Sequence, residues 1–191
     1  MQWTRFTPQA ALAAAGALTL VALACRDSAA PADGSIAAAS VSLTTTASPE
    51  LVDILRAKMN RFREFSNAAP GGYAAQITAC MADPTLGGMG FHFANPGLID
   101  GTVKFDELEA LVYAPQPGGW NKLVAAEFLV PYTFVPKTGP APRLFNRDFV
   151  PNDAFGLWMM HVWLWQPNPA GLFATWNPTV SCPPGTTVMN H

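Results

Sequence analysis

The sequence contains few charged residues and no cluster of basic ones. Only 13% of its 191 residues are Asp, Glu, Lys or Arg, and the formal net charge is −2. Proteins that bind nucleic acids place clustered Lys and Arg side chains against phosphates, so this composition argues against a nucleic-acid partner. Half of the residues are hydrophobic, which excludes a disordered chain and is enough for the core of one ordinary domain.

Two common functional motifs are also missing. Because no GxSxG stretch is present, the sequence lacks the nucleophile-elbow signature of serine hydrolases. Because no CxxC pair is present, a zinc site built mainly from cysteines is disfavoured. In contrast, 18 Pro and 15 Gly residues indicate many turns and short elements rather than a helical bundle.

Residues 1–24 have the features of a secretory signal peptide. One positive charge, Arg5, precedes an uncharged run rich in Ala and Leu over residues 10–24. This run is too short and too rich in Ala for a typical transmembrane helix. Its last letters, VALAC, resemble the bacterial lipobox, although Ala22 stands where Leu is usual. We therefore predict that Cys25 is lipidated; an ordinary signal peptide that is cleaved nearby is the alternative.

The segment 25–47 is small and polar and shows no apolar periodicity, which is typical of a flexible tether. Residues 48–191 are predicted to form a single globular domain. A lipid on Cys25 would anchor this domain to a membrane without embedding it. The sequence thus predicts an exported lipoprotein, periplasmic or on the cell surface, whose partner is a membrane reached through the lipid.

Two further cysteines, Cys80 and Cys182, remain if Cys25 is acylated. In an exported protein an isolated pair of cysteines is most simply a disulfide. A mixed Cys/His metal site is the alternative, and no metal-binding spacing supports it.

A helix is predicted over residues 49–66. Ser48 supplies a capping hydroxyl, Pro49 suits the first turn, and Glu50 lies near the positive end of the helix dipole. Apolar residues then recur every three or four positions and form one stripe, made of Leu51, Leu55, Met59, Phe62, Phe65 and Ala69. Such a stripe is expected to pack against a sheet.

The later part of the chain alternates in the manner of β-strands, most clearly over residues 88–94, 109–114, 120–130 and 157–165. Both faces of the stretch 120–130 are apolar, so this strand is expected to be central and covered on both sides. We predict an α+β fold, with a curled antiparallel sheet or small β-barrel of five to six strands. One N-terminal amphipathic helix packs on it.

Three titratable residues, His92, Glu127 and His161, lie within apolar strands. A buried ionisable group requires a compensating partner, so we expect these three to meet. Two imidazoles and one carboxylate are a ligand set for a divalent metal such as zinc or iron. Glu109 is a candidate fourth ligand or an acceptor that orients one imidazole. A hydrogen-bonded His–Glu network without metal is the alternative, and a metal-free acid–base pair is a further one.

Trp158, Trp163 and Trp165 support a different hypothesis. Their rings are most simply part of the core, but in a barrel they could line a pocket for an apolar or sugar ligand. The sequence therefore leaves three functions open. These are a metal-binding lipoprotein domain, a lipocalin-like carrier of an apolar small molecule, and a structural envelope domain without a ligand.

Taken together, several short motifs resemble a family of small exported bacterial proteins. The pattern covers about residues 72–182 and consists of Gly88-Met89-Gly90-Phe91-His92, Asn95, Asp100-Gly101, Glu109, Leu111-Val112-Tyr113, Leu123-Val124, Glu127-Phe128, Leu144-Phe145, His161-Val162-Trp163, Asn168-Pro169, Gly171, Trp176-Asn177-Pro178 and Cys182. The resemblance implies one domain over this range and implies no particular reaction.

Overall fold

The structure is a computed structural model that describes residues 49–184 and 187–188. The predicted signal peptide 1–24, the lipidation site Cys25 and the tether 25–47 lie outside the described residues. Within the described ranges, none of the helices combines the length and the apolar character that crossing a bilayer would require.

Within the described part of the chain, one α-helix precedes the sheet. Helix α1 spans Pro49–Met59 and continues into two short 3-10 turns, Asn60–Arg63 and Phe65–Asn67. The strands are β1 Ala75–Gln76, β2 Met81–Asp83, β3 Gly87–Ala94, β4 Ala110–Pro115, β5 Asn121–Pro131, β6 Arg143–Leu144, β7 Arg147–Asp148, β8 Val150–Asn152, β9 Leu157–Val162 and β10 Thr187–Val188.

Eight of these strands form one sheet in the order β10-β2-β3-β4-β5-β9-β8, and β1 pairs with β3 off this path. Strand β10 runs parallel to β2, whereas the other pairings in this sheet are antiparallel. Strands β6 and β7 form a separate hairpin. The predicted α+β class and antiparallel sheet are therefore confirmed, but over the described ranges the sheet is not closed into a barrel.

The prediction of five to six strands is too low for the main sheet. Four of its eight strands, β1, β2, β8 and β10, are only two or three residues long. Segments this short do not complete enough alternations to produce a recognisable pattern in the sequence. They become strands because the longer strands beside them supply backbone partners.

Helix α1 covers one face of the sheet. Its predicted apolar residues Leu51, Leu55 and Met59 are buried and pack in a cluster with side chains of β4, β5 and β9. The α-helix ends earlier than predicted, at Met59. In the 3-10 turn that follows, the Tyr113 hydroxyl donates a hydrogen bond to the Phe62 carbonyl at 2.7 Å. The helix thus occupies one side and leaves the opposite face to other parts of the chain.

The opposite face is covered by the chain that follows β9. Trp176 and Val180 are buried there against residues of the sheet, and Asn177 pairs with Gly88 of β3 in an isolated bridge. The Cys80–Cys182 disulfide ties the end of this segment beside β2 and confirms the predicted bond. This face is consequently a second buried compartment, separate from the one under the helix.

Gly90 interrupts the expected alternation of β3. Its φ angle is +110°, and a Cβ atom there would collide with the carbonyl oxygen of Tyr113. The register of β2 against β3 shifts at this point. Simple alternation would place Met89 on the same face as Phe93, but Met89 packs with buried residues of the second compartment.

Candidate metal centre

The three predicted site residues come from three strands of the sheet. His92 lies on β3, Glu127 on β5 and His161 on β9. Glu127 and His161 are direct cross-strand partners, so their side chains emerge on the same face. His92 is one strand farther away, because β4 separates β3 from β5.

A small residue allows His92 to reach across the intervening strand. Ala110 of β4 pairs with Glu127 on one side and with Ala94 on the other, and it is completely buried. Partners in an antiparallel sheet point to the same face, so Ala110 shares the face of Glu127. The direct partner of His92 on β4 is Val112, and the imidazole reaches the carboxylate diagonally, past Ala110. The methyl group of Ala110 leaves the space that a larger side chain would fill.

The structure brings the three side chains into one buried group. The two Nε2 atoms of His92 and His161 are 3.1 Å apart. Glu127 Oε2 lies 3.6 Å from His92 Nε2, and Glu127 Oε1 lies 3.4 Å from His161 Nδ1. One ligand atom from each residue fits within 4.8 Å of the others. Each residue is 3% exposed or less, so the group is shielded from bulk water.

The short distance between the two imidazoles constrains their protons. Without a cation, one Nε2 must donate a hydrogen bond and the other must accept it, because two N–H groups would repel each other. His161 Nδ1 is buried and has no hydrogen-bond partner among the described residues. A buried nitrogen in this condition is unusual, which indicates that the hydrogen bonds inside the group are incomplete.

Burial sets the protonation of all three groups in the metal-free protein. Loss of water raises the pKa of Glu127 to about 8, and the charge of Glu109 adds to this rise. Loss of water also lowers the pKa of His92 to about 4. The pKa of His161 falls well below its ordinary range, first through burial and then through repulsion from His92. Charge is disfavoured at this position unless an ion of opposite sign offsets it.

Thr78 holds the ring of His92 in place. Its hydroxyl lies 2.8 Å from His92 Nδ1 and accepts a hydrogen bond from the His92 backbone N–H at 3.1 Å. A partner on Nδ1 leaves Nε2 directed at the other members of the group, as in many metal sites. The sequence analysis missed Thr78; the available signal was a hydroxyl residue in an otherwise mostly apolar stretch before Cys80.

The ring of His161 is held by stacking. The indole of Trp163 lies parallel to it, with ring centroids 5.8 Å apart and an interplanar angle of 12°. The indole N–H donates a hydrogen bond to the carbonyl of Ala174 at 2.6 Å. Trp163 therefore connects the imidazole to the segment that covers this face.

Glu109 was a candidate metal ligand, but its carboxylate contacts the backbone instead of the two imidazoles. It precedes β4, and its carboxylate accepts a hydrogen bond from the backbone N–H of Leu129 at 3.0 Å. The Glu109 side chain thus adds a hydrogen bond to β5 just before the first residue of β4. Among the described residues, Glu109 is not part of the close group of three, although its charge acts on Glu127.

A small cleft borders the group at His92 and Glu127. Its volume is about 30 Å³, which is room for one or two molecules the size of water. His92, Glu127, Thr78 and Asn152 form its polar part. The remaining lining consists of Ile77, Met81, Met89, Leu129, Phe155, Leu157 and Met159. Two of the three residues therefore border this space, and most of its surroundings are apolar.

The tryptophans do not support the carrier hypothesis. Trp158 packs in the cluster beneath helix α1, and its indole N–H donates a hydrogen bond to the Val135 carbonyl at 2.9 Å. Trp163 belongs to a separate cluster. Trp165 packs against the same cluster as Trp158. Because the three rings are divided between two parts of the core, they do not line one shared cavity.

Comparisons of the chain with protein-family models, curated proteins and solved structures found no significant match.

Proposed function

We propose that this domain binds one metal ion through His92, Glu127 and His161. The observation that carries the proposal is the convergence of these side chains in a buried group, with their ligand atoms within 4.8 Å of one another. An apolar environment is costly for an isolated carboxylate, and a cation offsets that cost. Zinc and iron suit two imidazoles with one carboxylate, as the sequence predicted, and imidazole also suits copper.

The distance between the two imidazole nitrogens is consistent with a shared ion. Zinc–nitrogen bonds are about 2.0–2.1 Å long, so two nitrogens on one tetrahedral zinc lie about 3.3–3.4 Å apart. The two Nε2 atoms are already 3.1 Å apart. Small ring movements would accommodate an ion, and the cleft provides room for an exogenous ligand on it.

Elemental analysis of the purified protein tests this proposal. We expect about one metal ion per chain in the parent protein, and a loss of metal in His92→Ala and His161→Ala, because each variant removes one of three protein ligands. Removing an orienting partner already costs about 10–100-fold in metal affinity, so removing a ligand should cost at least as much. The third histidine of the chain supplies the matched control, His191→Ala, which should retain its metal.

Equal metal content in all four proteins would show that the three residues do not form the site. Circular dichroism should accompany the analysis, because a variant that does not fold says nothing about coordination. His92→Gln and His161→Gln serve as second variants, since they keep a polar side chain of similar length.

We also propose that the protein is an exported lipoprotein, anchored through Cys25 to a membrane in the periplasm or at the cell surface. The lipobox-like end of the predicted signal peptide supports this proposal. The Cys80–Cys182 disulfide is compatible with an oxidising compartment. The metal centre would then face the space outside the cytoplasm, where it could take up an ion or a small molecule.

Cell fractionation of a bacterial host tests the anchor. The parent protein is expected in the membrane fraction with the mass of a lipidated chain, whereas Cys25→Ser should become soluble and lose that mass increment. Inhibition of lipoprotein signal peptidase should cause the unprocessed parent protein to accumulate. Continued membrane association of Cys25→Ser would contradict lipidation at this residue.

A further inference from the structure

Three methionine side chains line the cleft together with His92 and Glu127. These are Met81, Met89 and Met159, and each is buried. They also belong to a single hydrophobic cluster on the face of the sheet that carries the metal-binding group. Thioether sulfur is a soft ligand, so this side of the group offers donors different from imidazole and carboxylate.

These methionines lie on strands at two sides of the group. Met81 and Met89 come from the adjacent strands β2 and β3, and the positive φ of Gly90 accompanies the turn of Met89 toward this face. Met159 comes from β9, two residues before His161. Its Sδ accepts a hydrogen bond from the Asn152 amide at 3.5 Å.

Thiolates do not compete with these thioethers. Among the described residues the cysteines are Cys80 and Cys182, and both are consumed by their disulfide. The soft donors beside the group are therefore thioethers. Imidazole together with thioether is a donor set that favours copper(I), whereas a site of imidazole and carboxylate alone does not distinguish copper from zinc.

Charge balance favours the same ion. The group contains one acid, Glu127, because Glu109 lies outside it and accepts the hydrogen bond of the Leu129 N–H. The other residues that line the cleft are uncharged. A divalent ion with one carboxylate would leave a net charge of about +1 in this environment, which carries a desolvation cost. A monovalent ion with the same carboxylate is neutral.

We propose that the centre is a copper(I) site, in which Met89 and Met159 supply thioether ligands alongside the imidazoles. This proposal rests on the metal-binding function proposed above and names its ion. The competing interpretation is that the methionines only fill an irregular gap in the core. That interpretation predicts no effect of the sulfur atoms on metal affinity.

An anaerobic competition titration with a chromophoric copper(I) chelator tests the proposal, in parallel with a zinc titration. The proteins are the parent, Met89→Leu and Met159→Leu, with Met160→Leu as the matched control. Leucine conserves volume and apolar character but removes sulfur. Met160 follows Met159 on the same strand, but it packs in the cluster beneath helix α1.

Copper(I) affinity is expected to fall about ten-fold or more in Met89→Leu and Met159→Leu, the scale of a lost contribution to a metal site. It should change by less than about two-fold in Met160→Leu, and zinc affinity should change little in all three. X-ray absorption of the parent complex should show sulfur as well as nitrogen around copper.

Two failures can be told apart. Unchanged copper(I) affinity in both methionine variants, or an absorption spectrum without sulfur, would overturn the copper proposal while leaving the His/Glu/His centre in place. Absence of binding of both copper(I) and zinc by the folded parent protein would overturn the centre itself.

Discussion

A protein in which both Cys80 and Cys182 are replaced by alanine is expected to be about 4–5 kcal/mol less stable than the parent protein. The disulfide joins residues 102 positions apart in the sequence. Breaking it allows the unfolded chain many more conformations, and a loop of this length gives a large entropic effect. Urea denaturation monitored by tryptophan fluorescence measures the loss.

Loss of the disulfide should also loosen the segment that ends at Cys182. Trp176 and Val180 cover the face that carries the His92/Glu127/His161 group, and the disulfide ends that segment. Hydrogen exchange should therefore increase most in the segment 176–182. The parent protein with its disulfide chemically reduced is the control, and it should match the double variant. A loss of less than about 1 kcal/mol would indicate that the chain-entropy argument does not govern this bond.

The metal-free protein is expected to lose about 2–3 kcal/mol of stability as the pH rises from 6.5 to 8, because two buried glutamates resist ionisation. Burial raises the pKa of both Glu109 and Glu127 to about 8, from an ordinary value of 4.5. Each acid stays protonated longer in the folded state than in the unfolded state. The unfolded chain therefore binds fewer protons, and the contribution of the two acids to stability falls as the pH increases between 4.5 and 8.

His92 acts in the opposite direction at lower pH. Its pKa is lowered from 6.5 to about 4 by burial, so between these values the unfolded chain binds the extra proton and stability rises with pH. The pKa of His161 is also lowered, so its contribution to stability rises with pH as well. The contributions of acids and bases oppose each other between about pH 4.5 and 6.5, where we expect a plateau, and only the acids act above it.

Matched amide variants test this assignment. Glu127→Gln and Glu109→Gln cannot ionise, and each should remove about half of the stability loss between pH 6.5 and 8. Gln at position 109 retains an oxygen that can accept the Leu129 N–H, so its effect on the backbone contact should be small. Stability that stays constant or rises across this interval in the metal-free parent protein would contradict the predicted protonation states.

Metal should reverse the pH dependence. A cation requires Glu127 as the carboxylate, so binding becomes tighter as the pH increases toward 8. The thermal midpoint with saturating metal should then rise over the interval in which the metal-free protein weakens. In the Glu127→Gln variant, the pH dependence of stability should be the same with and without metal.

Several features followed from the sequence because they depend on local periodicity or on solvation. The apolar stripe of helix α1 was visible as spacings of three and four, and its members Leu51, Leu55 and Met59 are buried as expected. His92 and Glu127 were recognised because an ionisable group in an apolar strand needs a partner. An isolated pair of cysteines was enough to predict the disulfide.

Other features depend on contacts between segments that are distant in the chain. Thr78 became part of the site through its contact with His92, 14 residues later. Met89 packs on the face that carries the site, because Gly90 interrupts the alternation of β3. Glu109 was expected near the imidazoles, but its position just before β4 places its carboxylate against the backbone of Leu129.

The amino-acid sequence by itself determined which residues must be buried, which of them needed a compensating partner, and that helix α1 would pack on an antiparallel sheet. These properties are encoded in composition and in short repeats, because burial and periodicity act over a few residues. Only the tertiary structure decided that His92 could reach Glu127 across β4. That reach depends on strand order, on register and on the small side chain of Ala110, and such pairings between remote segments leave no local pattern.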